Sequence, residues 1–434
     1  MQANRRSARP RVGFLPIGRV QTNGLQDEYE RGINLAHQLD ADIVESPLVW
    51  SQPQVLDGLA DLQAQGIDIL VEYVLHGMSS PQQTLAGAKS TVPVVLWALP
   101  TNYSFPSAAN AVGVLRERGR RVKMVVSDAD PDSVLPQLNM MARVAFTLAR
   151  LRESRIGTLG DVFPNLTAAQ YHPDVLADRL GPQVVHITLA QFNTFLSALN
   201  ENDPAIDEEI RRLRASFDVR VEDPLLRKAI RVHWALRDVV QEHRLTAVAL
   251  ECHTELTPLF GINPCFGFAD DNRDYLISGE GDVVMGVNML MLQLLTRKEP
   301  YLGDIYAVQD GVLTLIHCGT DCRSARREEV VIMEQTAPDT VGLKTKMAMC
   351  VPNLAPGEVT VTRLHGQAHN QLHVALGEII ETDTRERLAV HVRLRNPQAY
   401  LEHVCGNHYL VSYGDLRPQL RLLCEWLDID ITDT

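Results

Sequence analysis

Two carboxylates, Glu280 and Asp282, stand in Ser278-Gly279-Glu280-Gly281-Asp282-Val283, where an apolar strand pattern (275–278) gives way to an apolar helix pattern reaching Leu292. Folding does not require acids there. Gly279 and Gly281 let the backbone turn tightly and leave room beside the carboxylates. One acid would serve as a helix N-cap, a position that favours Asp, but one cap needs only one acid. A second acidic stretch, Glu251-Cys252-His253-Thr254-Glu255, follows the apolar run 246–250. Either Glu251 or Glu255 reaches a crevice at that strand's end, unless both simply face solvent. Hard divalent cations prefer carboxylate, carbonyl and water ligands, and Mn2+ also accepts imidazole. Glu255, Asp282 and one histidine would make an open site with places left for substrate oxygens.

Two histidines suit that third position. His408 lies in Cys405-Gly406-Asn407-His408-Tyr409-Leu410-Val411, a polar kink before an apolar strand. His317 ends an apolar strand, where it is either a hydrogen-bonded core residue or a donor behind the ligands. His365, His369 and His373 are spaced by four, as on one helix face, but their surroundings alternate like strands. They are not assigned a metal. Cys318 and Cys322 lack a second cysteine pair at matching spacing, which makes a zinc site there weak.

These groups need a scaffold that brings distant strand ends together. The first part alternates apolar strands (11–17, 42–44, 67–74, 92–98) with amphipathic helices (25–39, 53–65), which implies a doubly wound parallel sheet. A long helix at 132–152 leads to a second such unit, with strands at 155–159, 184–187, 246–250 and 275–278, and helices at 203–217 and 224–243. The strand 312–316 is expected beside the last two, so that three strand ends share one crevice. From residue 328 strands follow one another (330–333, 344–350, 358–364, 371–380, 388–394) with few helices between. That texture predicts a mainly antiparallel β domain, closed by a helix at 416–427. The expected architecture is α/β: an N-terminal domain 1–152, a second α/β domain 153–327 carrying the acids, and a β-rich domain 328–434 supplying a histidine.

The 434 residues suffice for two or three domains with a sizeable core. A formal net charge of −13 argues against a nucleic-acid or anionic-membrane surface. No apolar run approaches the roughly 18 residues of a spanning helix. Arg5, Arg6 and Arg9 precede only a short apolar block at 12–17, which reads as a first strand and not as a signal segment. Seven cysteines, odd in number and mostly in apolar contexts, fit reduced thiols in a cytoplasm.

Gly279-Glu280-Gly281-Asp282-Val283, followed by Gly286 and Met289-Leu290, resembles the acidic signature of the L-fucose isomerase/L-arabinose isomerase superfamily. It is most similar to the shorter fucose-isomerase-like proteins. Cys252-x-x-Glu255 with Cys265, Ile316-His317-Cys318-Gly319, and His408-Tyr409-Leu410-Val411 with Gly414-Asp415-Leu416 agree in the same order, so the resemblance spans most of the chain. It implies a cytoplasmic, Mn2+-dependent (or Mg2+- or Co2+-dependent) aldose–ketose isomerase. Glu255 and Asp282 would be acidic ligands and the proton-transferring pair, His408 the C-terminal ligand and His317 a further histidine. Glu280 would stand beside them, with Glu251 a rival to Glu255. The resemblance also implies a homo-oligomer with shared active sites, the first domain forming a wall of a neighbour's site. Those relatives often carry an aromatic residue where this chain has His253, which puts a common pentose or 6-deoxyhexose substrate in question. Arg19, Lys346 and Arg363 are cations that could face an anionic substituent on the sugar.

Isomerisation moves a proton between C1 and C2 of an open-chain sugar through an enediol, which facing acids beside a divalent ion would support. Close acids also push their proton affinities apart. Two other functions use the same parts: a sugar-binding or regulatory protein without turnover, and a metal-assisted epimerase or lyase. Metal content separates the first from the isomerase, and product analysis the second.

Overall fold

The computed structural model describes residues 9–19, 25–127, 130–264, 274–318, 322, 325–336, 345–385 and 388–434. Cys265, Gly319 and the start of the strand expected at 344 lie outside them. The chain divides into two compact units, Met1–Ala149 and Arg150–Thr434.

The first unit holds β1 (Arg11–Ile17), β2 (Asp42–Glu45), β3 (Ile69–Val74), β4 (Val94–Ala98) and β5 (Val122–Val126) in a parallel sheet of order β2-β1-β3-β4-β5. The β3 and β4 residues are buried throughout, as strands covered on both faces must be. Four helices make the crossovers: Leu25–Ala36, Gln52–Ala64, Ser80–Lys89 and Ser104–Glu117. A Ser51/Gln54 capping box starts the second. The third helix carries little apolar signal, because the face it buries is Gln83, Ala86 and Gly87.

One residue conflicts with this core. Glu72, on β3, is fully buried, and neither carboxylate oxygen has a hydrogen-bond partner among the described residues. Burial pushes its pKa well above the ordinary 4.5. An acid whose pKa is raised by folding favours the fold below its unfolded pKa, and that contribution is lost as pH rises toward the folded value. Glu72→Met is therefore expected to stabilise the first unit at neutral pH by about 1–3 kcal/mol, the usual cost of an unanswered buried polar group. Denaturant unfolding at pH 5 and pH 8 checks this: the gain should be larger at pH 8.

The second unit starts with β6 (Arg155–Leu159), β7 (Gln183–Ile187), β8 (Asp218–Arg220), β9 (Ala247–Leu250) and β10 (Leu276–Gly279). Four of these form a parallel sheet of order β10-β9-β6-β7. The remaining strands are β11 (Tyr301–Gln309), β12 (Val312–His317), β13 (Val330–Thr336), β14 (Lys346–Pro352), β15 (Gly357–His365), β16 (Gln371–Asp383), β17 (Leu388–Leu394), β18 (His408–Tyr413) and β19 (Asp430–Asp433). β8 pairs with β13 beside β14. A seven-stranded sheet runs β15-β18-β11-β12-β17-β16-β19, and a further β15–β16 pairing closes it into a barrel.

The strand expected at 312–316 is found elsewhere than predicted. It is β12, antiparallel to β11 inside the barrel, and does not extend the parallel sheet. Asp310 and Gly311 both have positive φ, +51° and +78°, which is the two-residue hairpin turn that returns a strand on itself. The antiparallel sheet thus begins at Tyr301, upstream of residue 328, and it lies in one compact unit with the second parallel sheet.

His373 on β16 shows how the barrel accommodates its histidines. It is 1% exposed, with Nδ1 3.0 Å from the Tyr409 hydroxyl and Nε2 3.1 Å from Thr434 Oγ1. Burial, reinforced by His365 and His403, lowers its pKa to about 4 from 6.5. The unfolded chain takes up a proton that the folded one refuses, so the stabilisation is present above pH 6.5 and lost as pH falls to about 4. His373→Gln should flatten the stability–pH curve in that window, as chemical denaturation at pH 4.5 and 7 would show.

Candidate active site

The helix Val283–Thr296 is buried along almost its whole length, and Asp282 is its N-cap. Asp282 Oδ1 accepts the Met285 N–H at 2.9 Å, while Oδ2 lies 2.9 Å from His408 Nδ1. Both residues are 0% exposed. The cap reading of Asp282 is thus correct for one oxygen; the other serves the histidine. His408 is the first residue of β18 and pairs in register with Asp304 of β11. Its Nε2 lies 3.4 Å from Asp304 Oδ1 and 3.6 Å from Glu280 Oε2. That nitrogen is buried and makes no hydrogen bond to the described residues.

Glu280 is held from several directions. Its φ is +61°, a left-handed conformation that costs a side-chain-bearing residue about 1–2 kcal/mol. The surroundings enforce it. The Phe163 N–H donates to the Glu280 carbonyl at 2.9 Å, and the Gly281 N–H donates to the Leu250 carbonyl at 3.1 Å. Gly281, also left-handed at φ +72°, has no room for a side chain, because a methyl group there would overlap the Asp161 carbonyl oxygen. The Glu280 Oε1 oxygen lies 3.2 Å from His253 Nε2.

Donor atoms of Glu280, Asp304 and His408 all fall within 4.8 Å of one another. Two carboxylates and an imidazole suit a divalent cation. The fit rests on two features: a buried His408 Nε2 without a hydrogen bond, and a carboxylate on Nδ1 that fixes the ring, as is usual behind a metal-binding histidine. Burial alone would lower the His408 pKa, but the hydrogen bond to Asp282 and the nearby carboxylates of Glu280 and Asp304 raise it to about 10. Burial would likewise lower that of His253, and hydrogen bonds to Cys252 and Glu280 bring it to about 11. Glu280 is driven the other way: burial opposes its ionisation, yet His253 and His408 hold it well below the usual carboxylate range.

The donor cluster differs from the expected Glu255, Asp282 and His408 in two members. Asp282 stands behind His408. Glu255 lies outside the cluster and accepts the Asp161 N–H on Oε1 at 3.0 Å. Its rival Glu251 is 1% exposed and caps its own turn, accepting the N–H groups of His253, Thr254 and Glu255 at 3.0, 2.9 and 2.7 Å. His317 packs its ring against Gly279, next to Glu280. Asp304 was not foreseen, although an acid inside an apolar strand opposite His408 becomes a visible signal once the Asp310-Gly311 hairpin is recognised. Of the three cations, Lys346 is ion-paired with Glu334, and Arg363 is 1% exposed with main-chain partners. Arg19 is exposed and stacks over Trp50 at 4.2 Å.

The chain is 21% identical over 411 residues to a sulfoquinovose isomerase of Alkalicoccus urumqiensis, covering 89% of this chain and 91% of that protein. It is 22% identical over 358 residues to a sulfoquinovose isomerase of Priestia aryabhattai, covering 78% and 79%. The chain is an enzyme of the aldose–ketose isomerase type. No family model matches it. A solute-binding protein of Burkholderia multivorans aligns over 67% of this chain and 95% of its own at 12% identity, but with a TM-score of 0.20 it carries no argument. Among the described residues no helix is long and apolar enough to cross a membrane.

Substitution distinguishes the two donor sets. By calorimetric Mn2+ titration, Glu280→Gln and Asp304→Asn should abolish binding and Asp282→Asn weaken it about 10–100-fold, with Glu255→Gln unchanged. Loss at Glu255 with retention at Asp304 would restore the set expected from sequence.

Proposed function

We propose that this chain interconverts an aldose and a ketose through an enediolate, at a divalent cation held by Glu280, Asp304 and His408. The observation that carries the reading is the buried His408 Nε2, without a hydrogen bond to the described residues and facing two carboxylates, in a chain related along most of its length to sugar isomerases. An ion there, Mn2+ by the family resemblance, would supply charge to stabilise the enediolate oxygens.

The side chains divide the remaining work. Asp282 has both oxygens committed, so it fixes the imidazole and cannot take a carbon proton. Glu255 keeps only Oε1 occupied among the described residues. We assign it the proton transfer between C1 and C2, and give the hydroxyl proton to His253 with Glu280. Glu255→Gln should lower kcat by about 10²–10⁴-fold, the usual range for general acid–base catalysis, while Mn2+ affinity stays at the parent level. The reading itself is tested by incubating the Mn2+-loaded protein with sulfoquinovose and a panel of neutral aldoses and following ketose by NMR. A protein that binds Mn2+ yet forms no ketose from any of them would overturn it.

The relatives' substrate carries a sulfonate, and we assign its contact to the exposed Arg19. It lines a crevice of about 920 Å³ in the first unit with Trp50, His76 and Tyr103. In the proposed cytoplasmic homo-oligomer this crevice forms the outer wall of a neighbouring subunit's site. Arg19→Ala is expected to reduce kcat/KM for sulfoquinovose about 10–100-fold, as loss of a charge-assisted hydrogen bond would, and to leave the neutral analogue quinovose unaffected. Equal losses on both sugars would exclude Arg19 as the sulfonate contact.

A further inference from the structure

We propose that Arg363 is a positioning residue that ties the loop 160–172 to the start of β18, holding the two sides of the donor cluster in register. The inference rests on the metal reading above for its consequence, and on geometry alone for the tie.

A guanidinium that is 1% exposed is ordinarily answered by a carboxylate. Arg363 instead donates to two main-chain carbonyls, from Nη1 to His408 at 2.6 Å and from Nη2 to Ala168 at 3.1 Å. The first belongs to a donor of the cluster. The second belongs to the loop whose opposite end grips the acidic side. There the Phe163 N–H bonds the Glu280 carbonyl, and the Asp161 N–H bonds Glu255. The Phe163 ring centroid lies 5.1 Å from that of His253. At its far end the loop is fastened again, where the His172 N–H donates to buried His369 Nε2 at 3.1 Å. The base of the tie is itself anchored, because the flanking Leu364 N–H and Thr362 hydroxyl both reach Asn288 Oδ1 on the helix Val283–Thr296.

Residue type follows from this role. The rigid fork of arginine spans two acceptors at once, whereas lysine offers a single point charge. Gly406 closely approaches the guanidinium, and a methyl group there would overlap it. That close approach accounts for glycine at position 406, two residues before His408.

Arg363→Met, Arg363→Lys and Gly406→Ala test the tie, the last two without altering charge. Backbone hydrogen exchange is measured on the metal-free proteins, then Mn2+ affinity, then denaturant unfolding. Expected is faster exchange in 160–172 and 403–409 together, about 10–100-fold weaker Mn2+ binding, partial recovery with lysine, and an unchanged denaturant m-value. Exchange in those segments unaltered in Arg363→Met would overturn the tie. A parent that binds Mn2+ and variants that bind it equally well would overturn its consequence for the site. A parent that binds no Mn2+ would instead sink the metal reading, and exchange alone would then decide the tie. Should Arg363→Met fail to fold, Gly406→Ala carries the same readouts.

Discussion

The bond between Asp282 Oδ2 and His408 Nδ1 is the contact on which the site depends. It joins residues 126 apart in sequence, so the chain must close a long loop before the contact forms. Both partners are fully buried, where an ion pair repays its desolvation only with good geometry and further hydrogen bonds. Asp282 meets that condition because its other oxygen caps a helix. The consequence is directional. With Nδ1 fixed, Nε2 must point away from the helix, toward the strand carrying Asp304 and the turn carrying Glu280.

Much of this arrangement was legible beforehand. Two acids beside glycines at a strand end, and a histidine at a polar kink, marked positions where folding alone would have chosen other residues. Doubly wound parallel order was legible too, since strands separated by helices have few other solutions. What escaped had physical reasons. The helix Ser80–Lys89 buries small and polar residues, so its periodicity is faint. The strand at 312–317 is apolar enough for either kind of sheet, and its two-residue turn decided the matter. Glu251 and Glu255 cannot be told apart by spacing. One folds back onto three backbone N–H groups, which only coordinates reveal. Arg363 reads from sequence as a cation that could face an anionic substituent, whereas it is buried and closely approached by Gly406, 43 residues away.

Left-handed backbone at side-chain-bearing residues occurs at helix C-caps such as Arg244, Arg297 and Asp428, and also where chemistry is assigned. Glu280 adopts a left-handed conformation beside the cluster. In the first unit Met78, Asn102 and Tyr103 do the same, at φ of +63°, +55° and +54°, around the crevice that holds Arg19. Such residues persist only where neighbouring contacts over-determine them.

The strain at Glu280 has an evolutionary consequence. A glycine there would adopt the left-handed turn without penalty, and the turn would keep its main-chain bonds. Selection for folding alone therefore favours losing this acid, and only a requirement for the carboxylate opposes it. Lineages that relax the requirement should drift toward glycine at this position while Asp282 persists as a cap. The residue found there would then separate descendants that still carry out the reaction from those that have kept the scaffold for another purpose.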